Sequence, residues 1–135
     1  MSLSVVLFCI AGLGALAMGL KYSVSPVPMR YHAEMLGAAA DPPSDGLRNV
    51  LTGLYRAFGG ALSGLALAII CLALWPIAAG NLPAATGAFL AGSFAAMATA
   101  FAALKLERRT AVRTPWRIAA GLEVVLVAAL IAFLL

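Results

Sequence analysis

Charge is scarce in this chain. Five Asp and Glu stand against nine Lys and Arg in 135 residues, with one histidine and two cysteines. A soluble domain of this length carries roughly 25% charged residues; here the share is 10%. A lone His32 cannot build a metal site without carboxylate or thiolate partners, and neighbouring Glu34 falls on another helix face. Cys9 and Cys71 both sit inside apolar runs, which points to structural thiols and away from a disulfide framework. No phosphate-cradling glycine loop or nucleophile–base arrangement is present, and Gly12-x-Gly14 reads as helix packing. Neither an enzymatic activity nor a cofactor nor a metal is expected. The net charge of +4 does not imply nucleic acid, because the basic residues cluster at loops and helix ends instead of covering one face.

What the chain has in abundance is hydrocarbon: 64% hydrophobic residues and a mean hydropathy of +1.03. The apolar residues lie in long blocks, so the expected fold is an all-α membrane protein. Specifically, it is a four-transmembrane-helix bundle with a short interfacial helix between its first and second crossings. One integral membrane domain covers 1–135, with spans near 3–20, 57–75, 82–104 and 116–135. The first run, Leu3–Leu20, gives about 27 Å of helix, just enough for a crossing. No positive charge precedes it and Lys21 follows it, which fits an uncleaved helix better than a signal peptide.

Pro26 and Pro28 break that helix, and Pro28 opens a short one over Met29–Leu36 that Gly37 ends. It is expected along the membrane surface, with Tyr22 and Tyr31 near headgroups. Ala38–Asp45 reads as a turn, with Ser44 capping the next helix. That helix, Asp45–Trp75, is about 46 Å long, so its first turns stand outside the hydrocarbon and Pro76 ends it. The uncharged turn Pro76–Leu82 makes the second and third crossings antiparallel neighbours. Thr114 is expected to cap the last helix, with Pro115 in its first position and Trp116 at an interface.

Leu82–Leu104 is built largely of small side chains in two rows, Gly87–Ala91–Ala95–Thr99–Ala103 and Ala88–Gly92–Ala96–Ala100. Small residues let helix backbones approach closely in lipid, where no hydrophobic force draws helices together. This run is therefore the expected centre of the bundle, and Gly60–Gly64–Ala68 is the row expected to meet it. Orientation follows from charge. All nine Lys and Arg fall in or beside 21–56 and 105–115, which places those segments in the cytoplasm and both termini outside it. The compartment is the inner membrane.

Glu123 lies about 9 Å beyond Arg117 along the last helix, inside the hydrocarbon, where a carboxylate is costly and marks a bundle interior or a pathway. Ser63, about 10 Å beyond Arg56, and Thr99, about 9 Å before Lys105, fall at the same depth. Glu123, Ser63, Thr99 and Arg56 form a candidate polar layer. A neutral Glu123 bonding across helices, or pairing with an interfacial arginine, is the plainer alternative. Arg30, Tyr31, His32, Trp116 and Arg117 are candidate interfacial or lipid contacts.

Met29-Arg30-Tyr31-His32-Ala33 and Leu54-Tyr55-Arg56-Ala57-Phe58-Gly59-Gly60 together resemble the pattern of small four-helix bacterial inner-membrane proteins that lack an assigned activity. That resemblance implies a bacterial inner-membrane location and no mechanism. The size is also similar to that of small multidrug transporters. Those carry an essential Glu in the first helix, where this chain has no charge, so their function is not carried over. Two readings remain. One is a structural or accessory protein packing against itself or a larger membrane complex. The other is a small homo-oligomeric transporter or channel using Glu123.

Overall fold

A computed structural model describes residues 1–37 and 41–135, so part of the turn expected over Ala38–Asp45 lies outside the described residues. Five α-helices follow one another: α1 Leu3–Val24, α2 Arg30–Met35, α3 Asp45–Leu72, α4 Leu82–Thr110 and α5 Trp116–Leu134. The described residues contain no strand. Four of these helices, with α3 extended to Ile77, are long and apolar enough to cross a membrane. The sequence reading of a multi-pass helical bundle holds at that level. A short helix, Arg30–Met35, lies between the first two of them, and Gly37 follows it in the left-handed region at φ 63°.

The helix ends follow from local chemistry. Ser2 Oγ accepts the Val5 N–H and Ser44 Oγ the Leu47 N–H, each satisfying one orphan donor of a first turn. Pro76 does not stop α3. Instead the helix widens into a π turn over Ala73–Ile77, which takes up the ring and the missing N–H without breaking the element. Gly80 at φ 79° then reverses the chain, and Asn81 Oδ1 caps α4 by accepting the Ala84 N–H at 2.9 Å.

The packing corrects the expected centre. α1 lies against both α3 and α5, whereas α4 packs mainly on α5 and meets α3 far less. The reason is on α1, whose small residues let two helices close in. A Cβ placed on Gly19 would stand 2.8 Å from Ser63 N and 2.9 Å from Gly59 O. One placed on Gly59 would stand 2.7 Å from Gly19 O. Backbone meets backbone at this crossing, and only glycine fits on either side. The face of α3 is corrected as well: Gly59, Ser63, Ala66 and Ile70 turn toward α1. Gly60 and Gly64, expected against α4, have no heavy atom within 4 Å of an added Cβ and face outward.

Filling is uneven along the bundle. Val5, Phe8, Ile69, Ala73, Ile77, Ala85, Ala88, Leu126 and Ala129 form a continuous buried core at the end without charges. Toward the basic end, α3 and α4 are separated by open space.

Candidate functional site

That open space is a concavity of the fold. A cavity of about 310 Å³ is bounded by α1, α2, α3, α4 and the start of α5, with Met18, Tyr22, His32, Tyr55, Leu106 and Thr114 among its walls. It adjoins a narrower apolar void of about 50 Å³ deeper in the bundle, and Met18, Tyr22, Phe58, Thr99 and Ala119 border both.

The three tyrosines of the chain and its only histidine converge at this cavity. Tyr22 projects from the last turn of α1 and packs edge-on against Tyr55 and Phe58, with ring centroids 5.6 and 4.9 Å away. The Tyr22 and Tyr31 hydroxyls share a hydrogen bond of 2.6 Å. Tyr55, buried on α3, accepts the Met29 N–H through its hydroxyl oxygen at 3.3 Å and is hydrogen-bonded to His32 Nδ1. Burial lowers the His32 pKa below its ordinary value, consistent with a neutral ring. These bonds dock α2 onto the last turn of α1 and onto α3 at Tyr55, so α2 is tied to the bundle. Burial, followed by the Tyr22 hydrogen bond, pushes the Tyr31 hydroxyl pKa up.

Across the cavity, a second polar cluster closes the α4–α5 turn. Glu107 Oε2 accepts the Thr114 N–H at 2.7 Å, and the Thr114 hydroxyl lies 3.1 Å from that oxygen and 3.0 Å from the Ala103 carbonyl. Arg117 completes it with a 3.2 Å ion pair to Glu107 Oε1, its guanidinium stacked 4.8 Å from the Trp116 ring centroid. The Thr114 amide first, then its hydroxyl and the Arg117 guanidinium, hold the Glu107 carboxyl down at about 2. Thr114 thus does not cap α5 with its side chain as expected; Pro115 occupies the cap position and Thr114 is bonded back to α4.

Each remaining expected site residue has a definite place. Ser63 sits in the α1–α3 seam beside Gly19, its hydroxyl buried without a partner. Thr99 borders the cavity. Glu123 is half-buried, and its Oε2 is sheltered and unpartnered. Arg56 is exposed. No hydrogen bond or ion pair among the described residues joins these residues to one another. Among the candidate interfacial residues, Arg30 points outward and pairs with Glu34 at 3.1 Å. Tyr31 and His32 enter the aromatic cluster, and Trp116 and Arg117 enter the α4–α5 closure. Tyr22, read only as lying near headgroups, Tyr55 and Glu107 were missed as members of these clusters. The signal that could have found the first two is that every tyrosine falls in the segment flanked by the first two crossings. Among the described residues no group of His, Cys, Asp and Glu could hold a metal ion.

Comparison with known proteins found no matching family model, curated protein or solved structure.

Proposed function

We propose that the protein is an accessory component of the bacterial inner membrane that assembles laterally, with itself or with a larger membrane complex, through the outer face of α3. One observation carries this reading. Gly53, Ala57, Gly60, Gly64, Ala68 and Cys71 lie on one side of α3, all exposed, and an added Cβ at Gly53, Gly60 or Gly64 would touch nothing in this chain. Glycine inside a helix costs about 1 kcal/mol relative to alanine, and nothing within the fold offsets that here. Close approach of a second helix would, since Gly60-x-x-x-Gly64 is the spacing at which helix backbones pack in lipid. The basic ends of the helices support an orientation with 21–56 and 105–115 in the cytoplasm and both termini on the other side.

The test is the composition of the particle extracted from its native membrane at native expression level. A reproducible oligomer or heteromeric complex, lost in Gly64→Leu, is the expected result. A monomer in wild type contradicts the proposal.

A specific observation keeps a second reading in play. The sheltered, unpartnered Glu123 Oε2 lies within a membrane-crossing helix, where a carboxyl group is costly unless it has a task. A homo-oligomeric transporter using this group requires that Glu123→Gln abolish a flux while leaving assembly intact. Loss of neither flux nor assembly removes it.

A further inference from the structure

Lateral assembly leaves the cavity at the basic end unused, since none of Gly53, Gly60 and Gly64 lines it. It is not closed over by protein. Leu54 and Phe58 of α3 and Ala102 and Leu106 of α4 line it and are also exposed, so its mouth is hydrocarbon. Both helices are long and apolar enough to cross a membrane. At about 310 Å³ the cavity falls at the lower end of the ~300–1,000 Å³ typical of small-molecule pockets. Water is a poor occupant. Each molecule takes about 30 Å³ and needs roughly two to four polar partners, which walls built largely from Met18, Leu54, Phe58, Ala102 and Leu106 do not supply.

The lining carries no charge. No Lys, Arg, Asp or Glu belongs to it, and burial holds the His32 ring toward its neutral form. Glu107, bonded to the lining residue Thr114, is already paired with Arg117. A charged occupant would lose hydration and gain no counter-charge, a cost that an uncharged one avoids. The lining does hold a spare donor. The Tyr22 and Tyr31 hydroxyls have two protons between them and share one hydrogen bond, so one proton has no acceptor among the described residues. The Tyr55 oxygen, by contrast, is engaged by both Met29 and His32. Thr99 makes no hydrogen bond among the described residues either, but a helical threonine can turn back to the carbonyl four residues earlier, as Thr52 and Thr110 do. A phenol on the cavity wall has no such partner within its own helix.

We propose that this cavity binds a small uncharged molecule, mostly hydrocarbon, whose carbonyl or ether oxygen accepts the spare hydroxyl proton of the Tyr22–Tyr31 pair. Its hydrocarbon end lies between Phe58 and Thr99, which border both the cavity and the deeper apolar void. Binding of this kind does not involve the outward glycines of α3, so it stands or falls separately from lateral assembly.

Isotope labelling of tyrosine rings in the full chain, in mild detergent, gives an NMR spectrum that reports only Tyr22, Tyr31 and Tyr55, all of which line the cavity. Decanone, decane and decyl sulfate are titrated at matched concentrations in the micelle. Decanone is expected to shift these signals and to bind about fivefold more tightly than decane, the worth of about one neutral hydrogen bond. Decyl sulfate is expected not to displace it. Ala102→Phe, at the exposed lip, should abolish the shifts, while Leu90→Phe, exposed on α4 and outside the lining, leaves them unchanged. Tyr22→Phe and Tyr31→Phe each keep one free hydroxyl proton and should retain the preference for decanone. The double variant, read through Tyr55, should lose it, and Thr99→Val should keep it. Equal binding of decanone and decane, displacement by decyl sulfate, or a preference that survives the double variant would each overturn the proposal. Mass spectrometry of what the natively extracted particle releases covers both a bilayer lipid and a smaller diffusible compound. An uncharged, oxygen-bearing compound released by wild type and not by Ala102→Phe is the expected result; identical release from both contradicts the assignment.

Discussion

At the scale of single residues, two polar contacts decide how the basic end is held. His32 is neutral in the folded protein because burial lowers its pKa, so the unfolded chain takes up a proton more readily. Stability then rises with pH through this window, and it falls as pH drops below about 6.5, the ordinary histidine value. His32 is bonded to Tyr55, so the proton it takes up acts on a contact that holds α2 to α3. Amide exchange in α2 is therefore expected to speed up between pH 7 and 5, while α5 stays protected. Tyr55→Phe, which removes both bonds, should give fast α2 exchange at either pH.

Glu107 behaves in the opposite sense. Its carboxyl is held at about 2, well below the ordinary 4.5, so the α4–α5 closure has its full strength above about pH 4.5 and loses it as pH falls toward 2. The Thr114 amide should stay protected from pH 7 to pH 5 in wild type and exchange freely in Glu107→Gln. Unchanged protection in that variant would mean that the Thr114–Ala103 bond suffices. None of this was legible in sequence. Glu107 is the one acid in a run of basic residues, a position that points to no particular partner. Its partner Thr114 lies across a turn whose path was not fixed by any residue type.

At the scale of elements, the sequence specified where helices run far better than which way they face. Ser44 and Gly37 are punctuation that acts locally, so the boundaries they mark were readable. Facing depends on which neighbour is present. α3 carries small residues on several sides, and Gly59 and Gly60 differ by about 100° around the helix. Only the Gly19–Ser23 stretch of α1 selects Gly59, because both backbones must be bare at the crossing. Gly19→Ala is thus expected to destabilise by about 1–3 kcal/mol through overpacking. Gly60→Ala should leave the isolated chain unchanged or raise its stability by about 0.5–1 kcal/mol, since it adds helix propensity in open space. Thermal unfolding in detergent distinguishes the two. Pro76 was read as a terminator because proline costs an α-helical bond, yet a π turn was available to absorb it. Ala111 ends α4 at φ 57°, a region that favours glycine. Ala111→Gly should stabilise by about 0.5–1 kcal/mol, the relief of left-handed strain less the entropy that glycine adds to the unfolded chain. A lower melting temperature would contradict that.

At the scale of the whole molecule, one end is filled and uncharged and the other is open and basic. The filled end comes from branched and aromatic side chains such as Val5, Phe8, Ile69 and Leu126, which interlock. The open end comes from the small residues of α4 beyond Gly92, which leave space that the tyrosines border without filling. The all-helical, membrane-crossing character was legible because it depends on hydropathy summed over long runs. The cavity was not, because it depends on how far apart α3 and α4 stand at one end, and no single residue type sets that distance. The outward glycine row of α3 bears most directly on what the protein does. A photo-reactive residue placed at Ala68, within that row, and another at Val124, exposed on α5, should be compared after irradiation in native membranes. Assembly through α3 predicts a protein adduct of defined mass from position 68 and none from position 124. Lipid adducts alone from both positions would contradict it.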